Sequence, residues 1–191
     1  MASSKRGLKR GLRGRRHTVL LMLDETIITE TPPLTACYGH RGEQVEVPVT
    51  GNHARRVLHG VMHIRRGEVL FLITEVWDQH THQVFLEMLR RHWSGWHLIL
   101  FEDRGSPHTA ATSRQRAKAL GIEVRYLPRA TPELNAMDHL WRYVQGRLLA
   151  NRTTQRIDAS ADAACQALLA MSRHERLRKA GVLSGHFWLH Q

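Results

Sequence analysis

Three aspartates adjoin apolar segments of this chain, in positions where carboxylates often do chemistry. Asp103 follows the apolar run 98–101, and Asp24 follows the apolar run 19–23. In open α/β sheets, ligands bind beyond the carboxyl ends of the strands, so both side chains are expected near such an end. Asp138 lies one residue off the apolar stripe of a predicted helix, from which it can point back toward the sheet. The pattern therefore predicts a cluster of carboxylates, although any one of these residues alone would be an ordinary strand-terminating or surface Asp.

Short apolar runs and alternating patterns predict the strands that must position this cluster. Val45, Val47 and Val49 alternate with Glu46 and Pro48, which indicates a half-buried strand after a hairpin loop. The remaining strands are predicted at residues 17–24, with a possible extension at 27–29, and at 56–64, 69–74, 98–101 and 124–127. The first of them is expected to form an antiparallel meander with 56–64 and 69–74, because consecutive strands with short connections tend to pair.

The apolar period then changes to that of helices. Helices are predicted at about 81–93, at 113–120, from Thr131 onward, at 157–171 and at 172–179. Thr131 supplies a capping hydroxyl, Pro132 suits the first helical position, and Glu133 faces the positive end of the helix that carries Asp138. A meander followed by alternating helices and strands predicts the α/β class, with a five-stranded mixed sheet flanked by helices.

The net charge of +11 is concentrated near the N-terminus, where seven of the 28 basic side chains precede residue 17. Glycines interrupt this basic segment, so it is predicted to be a flexible arm (residues 1–17) that does not fold by itself. Neutralisation of phosphates by such an arm releases counterions, which favours nucleic-acid binding over the alternative of a merely solvated tail. The candidate DNA-binding residues are Lys5, Arg6, Lys9, Arg10, Arg13, Arg15 and Arg16.

Several classes of protein are disfavoured by composition. No segment reaches the roughly 18 consecutive apolar residues of a membrane span, and the basic N-terminus lacks the apolar run of a secretory signal. Cys37 and Cys165 lie far apart and form no Cys-x-x-Cys pair, which argues against a disulfide framework or a zinc–thiolate site. His80 and His82 could bind a transition metal, but with no third ligand nearby in sequence a surface loop is the preferred interpretation. The predicted location is the cytoplasm.

Two longer motifs carry a family resemblance. The run from Asp103 to Ala110, Asp-Arg-Gly-Ser-Pro-His-Thr-Ala, resembles the second catalytic motif of mariner-like and related bacterial insertion-sequence transposases of the DDE superfamily. The run from Leu127 to Trp141, Leu-Pro-Arg-Ala-Thr-Pro-Glu-Leu-Asn-Ala-Met-Asp-His-Leu-Trp, resembles their third and most specific motif. The 34 residues between the second and third aspartates match the spacing of that family, and Asp24 with its neighbour Glu25 is similar to the first motif.

The resemblance implies a ribonuclease H-like fold over residues 18–150, and the helical patterns beyond it predict a C-terminal helical extension at 151–191. It implies that Asp24, Asp103 and Asp138 are catalytic and bind two divalent cations, Mg²⁺ or Mn²⁺. The implied reaction is cleavage of phosphodiesters at transposon ends, followed by attack of the freed 3′-hydroxyl on target DNA. The implied partners are DNA, a second copy of the chain on that DNA, and a separate or fused N-terminal helix-turn-helix polypeptide, because relatives carry such a region. A nucleoid-associated cytoplasmic location follows from that role.

Two residues of these motifs differ from the family pattern. Arg104 stands where relatives have Asn and could pair with a triad carboxylate, which would weaken metal binding, and Ala136 stands where relatives have Pro. Strand neighbours point to opposite faces, so at most one acid of each adjacent pair is expected to reach the metals. The residues expected to support the aspartates without themselves binding the cations are Glu25, Glu102, Arg104, His108 and Asn135. For His108 three roles are considered: orienting Asp103, contacting a substrate phosphate, or serving as an ordinary loop histidine. The alternative functions are a ribonuclease H-like nuclease without strand transfer and a non-catalytic DNA-binding remnant.

Overall fold

A five-stranded mixed sheet forms the centre of the protein. The computed structural model describes residues 17–42, 45–49, 51–152 and 156–189. The strands are β1 (Thr18–Thr29), β2 (Arg55–His63), β3 (Glu68–Thr74), β4 (His97–Glu102) and β5 (Ile122–Tyr126), in the spatial order β3-β2-β1-β4-β5. Strands β1, β2 and β3 form an antiparallel meander, whereas β4 runs parallel to both β1 and β5. The predicted five-stranded mixed sheet is confirmed.

Helices cover both faces of this sheet. They are α1 (Gln79–His92), α2 (Ser106–Thr109), α3 (Ala111–Ala119), a 3₁₀ turn (Pro132–Leu134), α4 (Ala136–Tyr143), a π-helical segment (Val144–Leu149), α5 (Ile157–Ala170) and α6 (Arg173–Lys179). Helices α1 and α3 pack on one face, and α4 and α5 pack on the other, so two separate apolar cores flank the sheet. We call these the α1 face and the α4 face.

Side-chain alternation along the strands assigns residues to these two faces. Leu20 and Met22 of β1 lie in the core of the α4 face, whereas Leu21 and Leu23 lie in the core of the α1 face. Strand β4 alternates in the same way, and Phe101 belongs to the α4 face. Since successive side chains of a strand point to opposite faces, the face of each residue that follows these is known from its position.

The predicted strand at 45–49 is wrong. Residues 45–49 form no strand, and Val45 and Val49 are exposed. These residues belong to the long connection between β1 and β2, and no described strand lies beside them to pair with their backbone. Pro48 also lacks an N–H to donate to a neighbouring strand. Alternation of apolar residues alone therefore did not suffice to form a strand here.

The predicted start of the helix that carries Asp138 is also wrong. Pro132–Leu134 form only a 3₁₀ turn, and α4 begins after Asn135. The Thr131 hydroxyl donates to the carbonyl of Pro128 instead of capping a helix. Asn135 is the true cap, since its side chain accepts a hydrogen bond from the N–H of Met137.

Among the described residues, the structure contains no helix that is both long enough and apolar enough to cross a membrane.

Gly60 allows α4 to pack closely on β2. A Cβ at this position would collide with the ring of Trp141 and would lie 2.7 Å from Cε of Met137. Trp141 is fully packed, with 2% of its surface exposed, and its indole N–H donates to the carbonyl of Asp24 at 3.2 Å. The ring cannot move away without breaking the contact between α4 and β1.

We therefore predict that Gly60→Ala lowers the free energy of unfolding by about 1–3 kcal/mol, the usual cost of overpacking a core. Urea denaturation measures this change. Gly146→Ala is the matched control, because a Cβ there has no atom within 4 Å and should cause no loss. Equal stabilities of both variants and wild type would contradict the packing argument.

Candidate active site

The three predicted aspartates line one cavity at the end of the sheet. The cavity has a volume of about 460 Å³, and Asp24, Asp103 and Asp138 are all among its lining residues. Asp103 immediately follows β4, as the sequence predicted. Asp24 lies inside β1, not at its end, because β1 continues to Thr29 along its antiparallel partner β2.

Parallel pairing of β1 with β4 brings the first two aspartates together. The last registered pair is Met22 with Phe101, after which the two strands separate. Asp24 and Asp103 each follow this pair by two residues, so both point to the α4 face. The separation of the two strands opens the cavity at the point where the two carboxylates lie.

Asn135 positions the third aspartate. Its amide donates to the carbonyl of Leu23 at 2.8 Å, while its side-chain oxygen caps α4. The first turn of α4 is thereby tied to the residue that precedes Asp24, and Asp138 projects into the cavity from the third position of the helix. Asn135 is 3% exposed, so both hydrogen bonds are shielded from water.

The cavity concentrates negative charge. Burial raises the pKa of Asp24 to about 8, and the charges of Glu25, Asp138 and Asp103 add to this effect. The buried Oδ2 atom of Asp138 lies 2.7 Å from Nη2 of Arg142, one helical turn away, in an ion pair without hydrogen-bond geometry. Clustered carboxylates fit the oxygen-ligand chemistry of a divalent cation, which would relieve their repulsion.

The neighbouring acids Glu25 and Glu102 lie on the opposite, α1 face. His108 joins the two faces at the end of the sheet: Nδ1 lies 2.6 Å from Oδ1 of Asp103, and Nε2 lies 3.0 Å from Oε1 of Glu25. Burial alone would lower the pKa of His108, but its hydrogen bonds to these carboxylates raise it to about 11. His108 is therefore protonated and donates from both ring nitrogens.

Glu25 is held by two histidines. In addition to His108, Nδ1 of His59 lies 3.3 Å from the same Oε1 atom. Burial tends to raise the pKa of Glu25, yet the hydrogen bonds from His108 and His59 outweigh it and lower the pKa to about 2. Nε2 of His59 in turn lies 3.0 Å from the hydroxyl of Thr74 on β3. These contacts extend across three strands of the sheet.

Glu102 and His82 form a second buried pair on the same face. Each has only 1% of its surface exposed, and Nε2 of His82 lies 3.5 Å from Oε2 of Glu102. Neither oxygen of Glu102 has a hydrogen-bond partner among the described residues. Burial raises the pKa of Glu102 to about 8 and lowers that of His82 to about 3, so both side chains are uncharged near neutral pH.

Arg104 does not pair with a triad carboxylate, contrary to the concern raised by its place beside Asp103. Its guanidinium lies 5.5 Å from the centre of the Tyr126 ring, in a cation–π arrangement. No ion pair of Arg104 with a carboxylate occurs within the described ranges. Arg104 still lines the cavity, so it adds a positive charge at the wall without neutralising the aspartates.

Sequence reasoning missed His59 and His82 as members of this site. His82 lies in the first turn of α1 and is buried, so the surface-loop interpretation of the His80 and His82 pair is wrong for His82. The feature that links His59 to the site is the β1–β2 register, in which it stands directly opposite Glu25. That register could not be read from the sequence, because nothing in it fixed the length of the β1–β2 connection.

The candidate DNA-binding residues of the basic arm lie outside the described residues. Their role remains a prediction. These residues are Lys5, Arg6, Lys9, Arg10, Arg13, Arg15 and Arg16.

Comparisons with known proteins agree with this fold. Residues 19–160 match the family model of the DDE superfamily endonucleases, whereas no curated protein matches the chain. The structure is similar to Mos1 transposase in its paired-end complex with the left transposon end, with a TM-score of 0.74, 17% identity, and coverage of 99% of this chain and 60% of that chain. For the mariner Mos1 paired-end complex with Mg the TM-score is 0.75, with 18% identity and coverage of 98% and 58%.

The isolated catalytic domain of Mos1 mariner transposase is also similar, with a TM-score of 0.70, 16% identity, and coverage of 98% of this chain and 87% of that chain. The predicted ribonuclease H-like fold is thereby confirmed. This chain spans about 60% of the length of the Mos1 chain in the paired-end complex.

The two hydrogen bonds of Asn135 make a separable prediction. Asn135→Ser keeps an oxygen that can cap α4 but loses the donor that reaches Leu23, and we expect it to lower the free energy of unfolding by about 1–2 kcal/mol. Asn135→Ala also loses the cap and should cost about 1 kcal/mol more. Urea denaturation in EDTA measures both changes, and equal stabilities of the two variants would show that the cap contributes nothing.

Proposed function

Because this chain belongs to the DDE superfamily of endonucleases, we propose that it is the catalytic part of a DNA transposase. It cleaves phosphodiester bonds at transposon ends and joins the freed 3′-hydroxyl to target DNA. The observation that carries the proposal is the meeting of Asp24, Asp103 and Asp138 in one cavity. Three carboxylates on β1, just after β4 and on α4 form a site that no single element of the chain could provide.

The three aspartates would hold two divalent cations, Mg²⁺ or Mn²⁺. Two such ions, when bound, activate the attacking oxygen and stabilise the leaving oxygen of an in-line displacement. Both hydrogen bonds that Asp103 accepts, from His108 and from the N–H of Gly105, use its Oδ1 atom. Its Oδ2 atom therefore remains for a cation. The similarity to Mos1 complexes with Mg and with Mn supports this choice of ions.

The protein itself supplies orientation and charge around the reaction. The aspartates lie where the strands separate, so a DNA backbone can approach them from the open end of the sheet. Arg104 and Arg129 line the same cavity and carry positive charge that suits a phosphate backbone. The basic arm would add contacts to phosphates farther along the duplex, with an affinity that falls as salt rises.

The proposal includes partners beyond the reacting DNA. A helix-turn-helix polypeptide, separate or fused, would recognise the transposon ends, and a homodimer would hold two ends together. The similarity to Mos1 transposase in a paired-end complex with the left transposon end supports transposon-end DNA as the partner. A transposase with these partners would act in the cytoplasm, at the nucleoid.

A cleavage assay on DNA that carries the ends of the proposed element tests the proposal. We predict that wild type nicks this DNA in Mn²⁺ or Mg²⁺, that EDTA abolishes nicking, and that Asp103→Asn and Asp138→Asn each reduce it at least about a hundredfold, since a catalytic carboxylate acts on the chemical step. Asp162→Asn removes a charge from an exposed position of α5 and serves as the matched control. A parallel reaction with the product of the upstream reading frame tests whether a separate polypeptide supplies the recognition of transposon ends.

Three outcomes separate the alternatives. Strand transfer by a pre-cleaved end with a free 3′-hydroxyl distinguishes a transposase from a nuclease that only cuts. Cleavage of an RNA–DNA hybrid without any joining would favour the nuclease. DNA binding without cleavage under every metal condition, with or without the partner product, would replace the proposal by a non-catalytic remnant.

A further inference from the structure

The Asp103 carboxylate is the least constrained of the three in the cavity. Its side chain is 55% exposed, and it follows the end of β4 instead of lying inside a strand or helix. Packing therefore does not fix its rotamer. Its described hydrogen bonds come from the N–H of Gly105, in the same loop, and from His108.

His108 is suited to hold this carboxylate because it is itself immobile. It has 1% of its surface exposed and is wedged against His82, with ring centres 4.6 Å apart, and against Trp77, with ring centres 6.0 Å apart. The hydroxyl of Tyr126 donates to the backbone carbonyl of His108 at 3.0 Å. Rings on one side and a backbone hydrogen bond on the other thus fix its position.

Contacts on the α1 face extend this support across the sheet. Nε2 of His108 lies 3.0 Å from Glu25, which also contacts His59, and His59 contacts Thr74. Glu25, His59 and Thr74 belong to β1, β2 and β3. The orientation of the His108 ring, at the edge of the cavity, is thereby fixed by contacts that reach three strands of the sheet.

Other roles for His108 are less compatible with these contacts. A buried ring cannot contact a substrate phosphate. Glu25, His82 and His108 place potential ligand atoms within 4.8 Å of one another, as a buried metal site would. Both nitrogens of His108, however, already contact carboxylates, so a metal there would have to replace its bond to Glu25.

We propose that His108 is a positioning residue, which Glu25 braces through Nε2 and which orients the Asp103 carboxylate for cation binding through Nδ1. The inference rests on the proposed function, since it assigns Asp103 as a cation ligand. Partners that orient metal ligands typically change metal affinity by about 10–100-fold when they are mutated.

Amide isosteres separate the two contacts of the ring. In His108→Asn the amide nitrogen replaces Nδ1 and can still donate to Asp103, whereas in His108→Gln it replaces Nε2 and reaches toward Glu25. We expect His108→Ala and His108→Gln to raise the Mn²⁺ concentration for half-maximal cleavage about 10–100-fold. His108→Asn should need a Mn²⁺ concentration close to that of wild type, and Glu25→Gln should raise the required concentration by less than His108→Ala does. Binding of Mn²⁺ followed by electron paramagnetic resonance gives a second readout that does not require DNA.

His63→Asn is the matched control for replacing a buried histidine, because His63 is 4% exposed and lies on β2 away from the cavity. Thermal melting in EDTA identifies variants that do not fold. If His108→Ala does not fold, the positioning role is tested by the order of the Mn²⁺ requirements of His108→Asn, His108→Gln and Glu25→Gln. Equal Mn²⁺ affinities of wild type, His108→Asn and His108→Gln would overturn the positioning role. A higher Mn²⁺ affinity of His108→Gln than of His108→Asn would overturn it as well. If wild type and Asp103→Asn bind Mn²⁺ equally, the proposed function itself fails.

Discussion

The parallel pairing of β1 with β4 is the constraint on which the site depends. It places Asp24 and Asp103 at the same distance beyond the registered pair of Met22 and Phe101, and thus on the same face of the sheet. A slip of β4 by one residue relative to β1 would place Glu102 or Arg104, in place of Asp103, on the same face as Asp24. The apolar residues of β1 and β4, which are buried on both faces, fix the register and therefore also fix which acids enter the cavity.

The two faces of the sheet use carboxylates in opposite ways. On the α4 face, three aspartates meet in an open cavity, where burial and the neighbouring acids raise the pKa of Asp24 to about 8, and a bound cation would favour the ionised form of all three. On the α1 face, protonated His108 balances the charge of Glu25 and Glu102 is uncharged, so no external cation is needed. His108 is the only described side chain that hydrogen-bonds to carboxylates of both sets. The local charge of each face follows from burial and partners, not from residue type.

The sheet and the three aspartates could be predicted because they depend on local patterns. Apolar runs marked four of the five strands closely, and motif spacing connected Asp103 with Asp138. Where a feature depended on a partner distant in sequence, prediction failed. The alternating valines at 45–49 pair with none of the described strands, and α4 is capped by Asn135 because its amide also reaches Leu23. The burial of His82 and the register of His59 arise only when α1 and β2 pack.

A crystal of the protein soaked in Mn²⁺, with anomalous scattering recorded at the manganese edge, tests the central claim most directly. The account predicts anomalous density in the cavity on the α4 face, in contact with carboxylate oxygens of Asp24, Asp103 and Asp138. The same crystal of Asp103→Asn should show weaker density or none. Manganese bound instead on the α1 face, among Glu25, His82 and His108, would contradict the assignment of the two carboxylate sets.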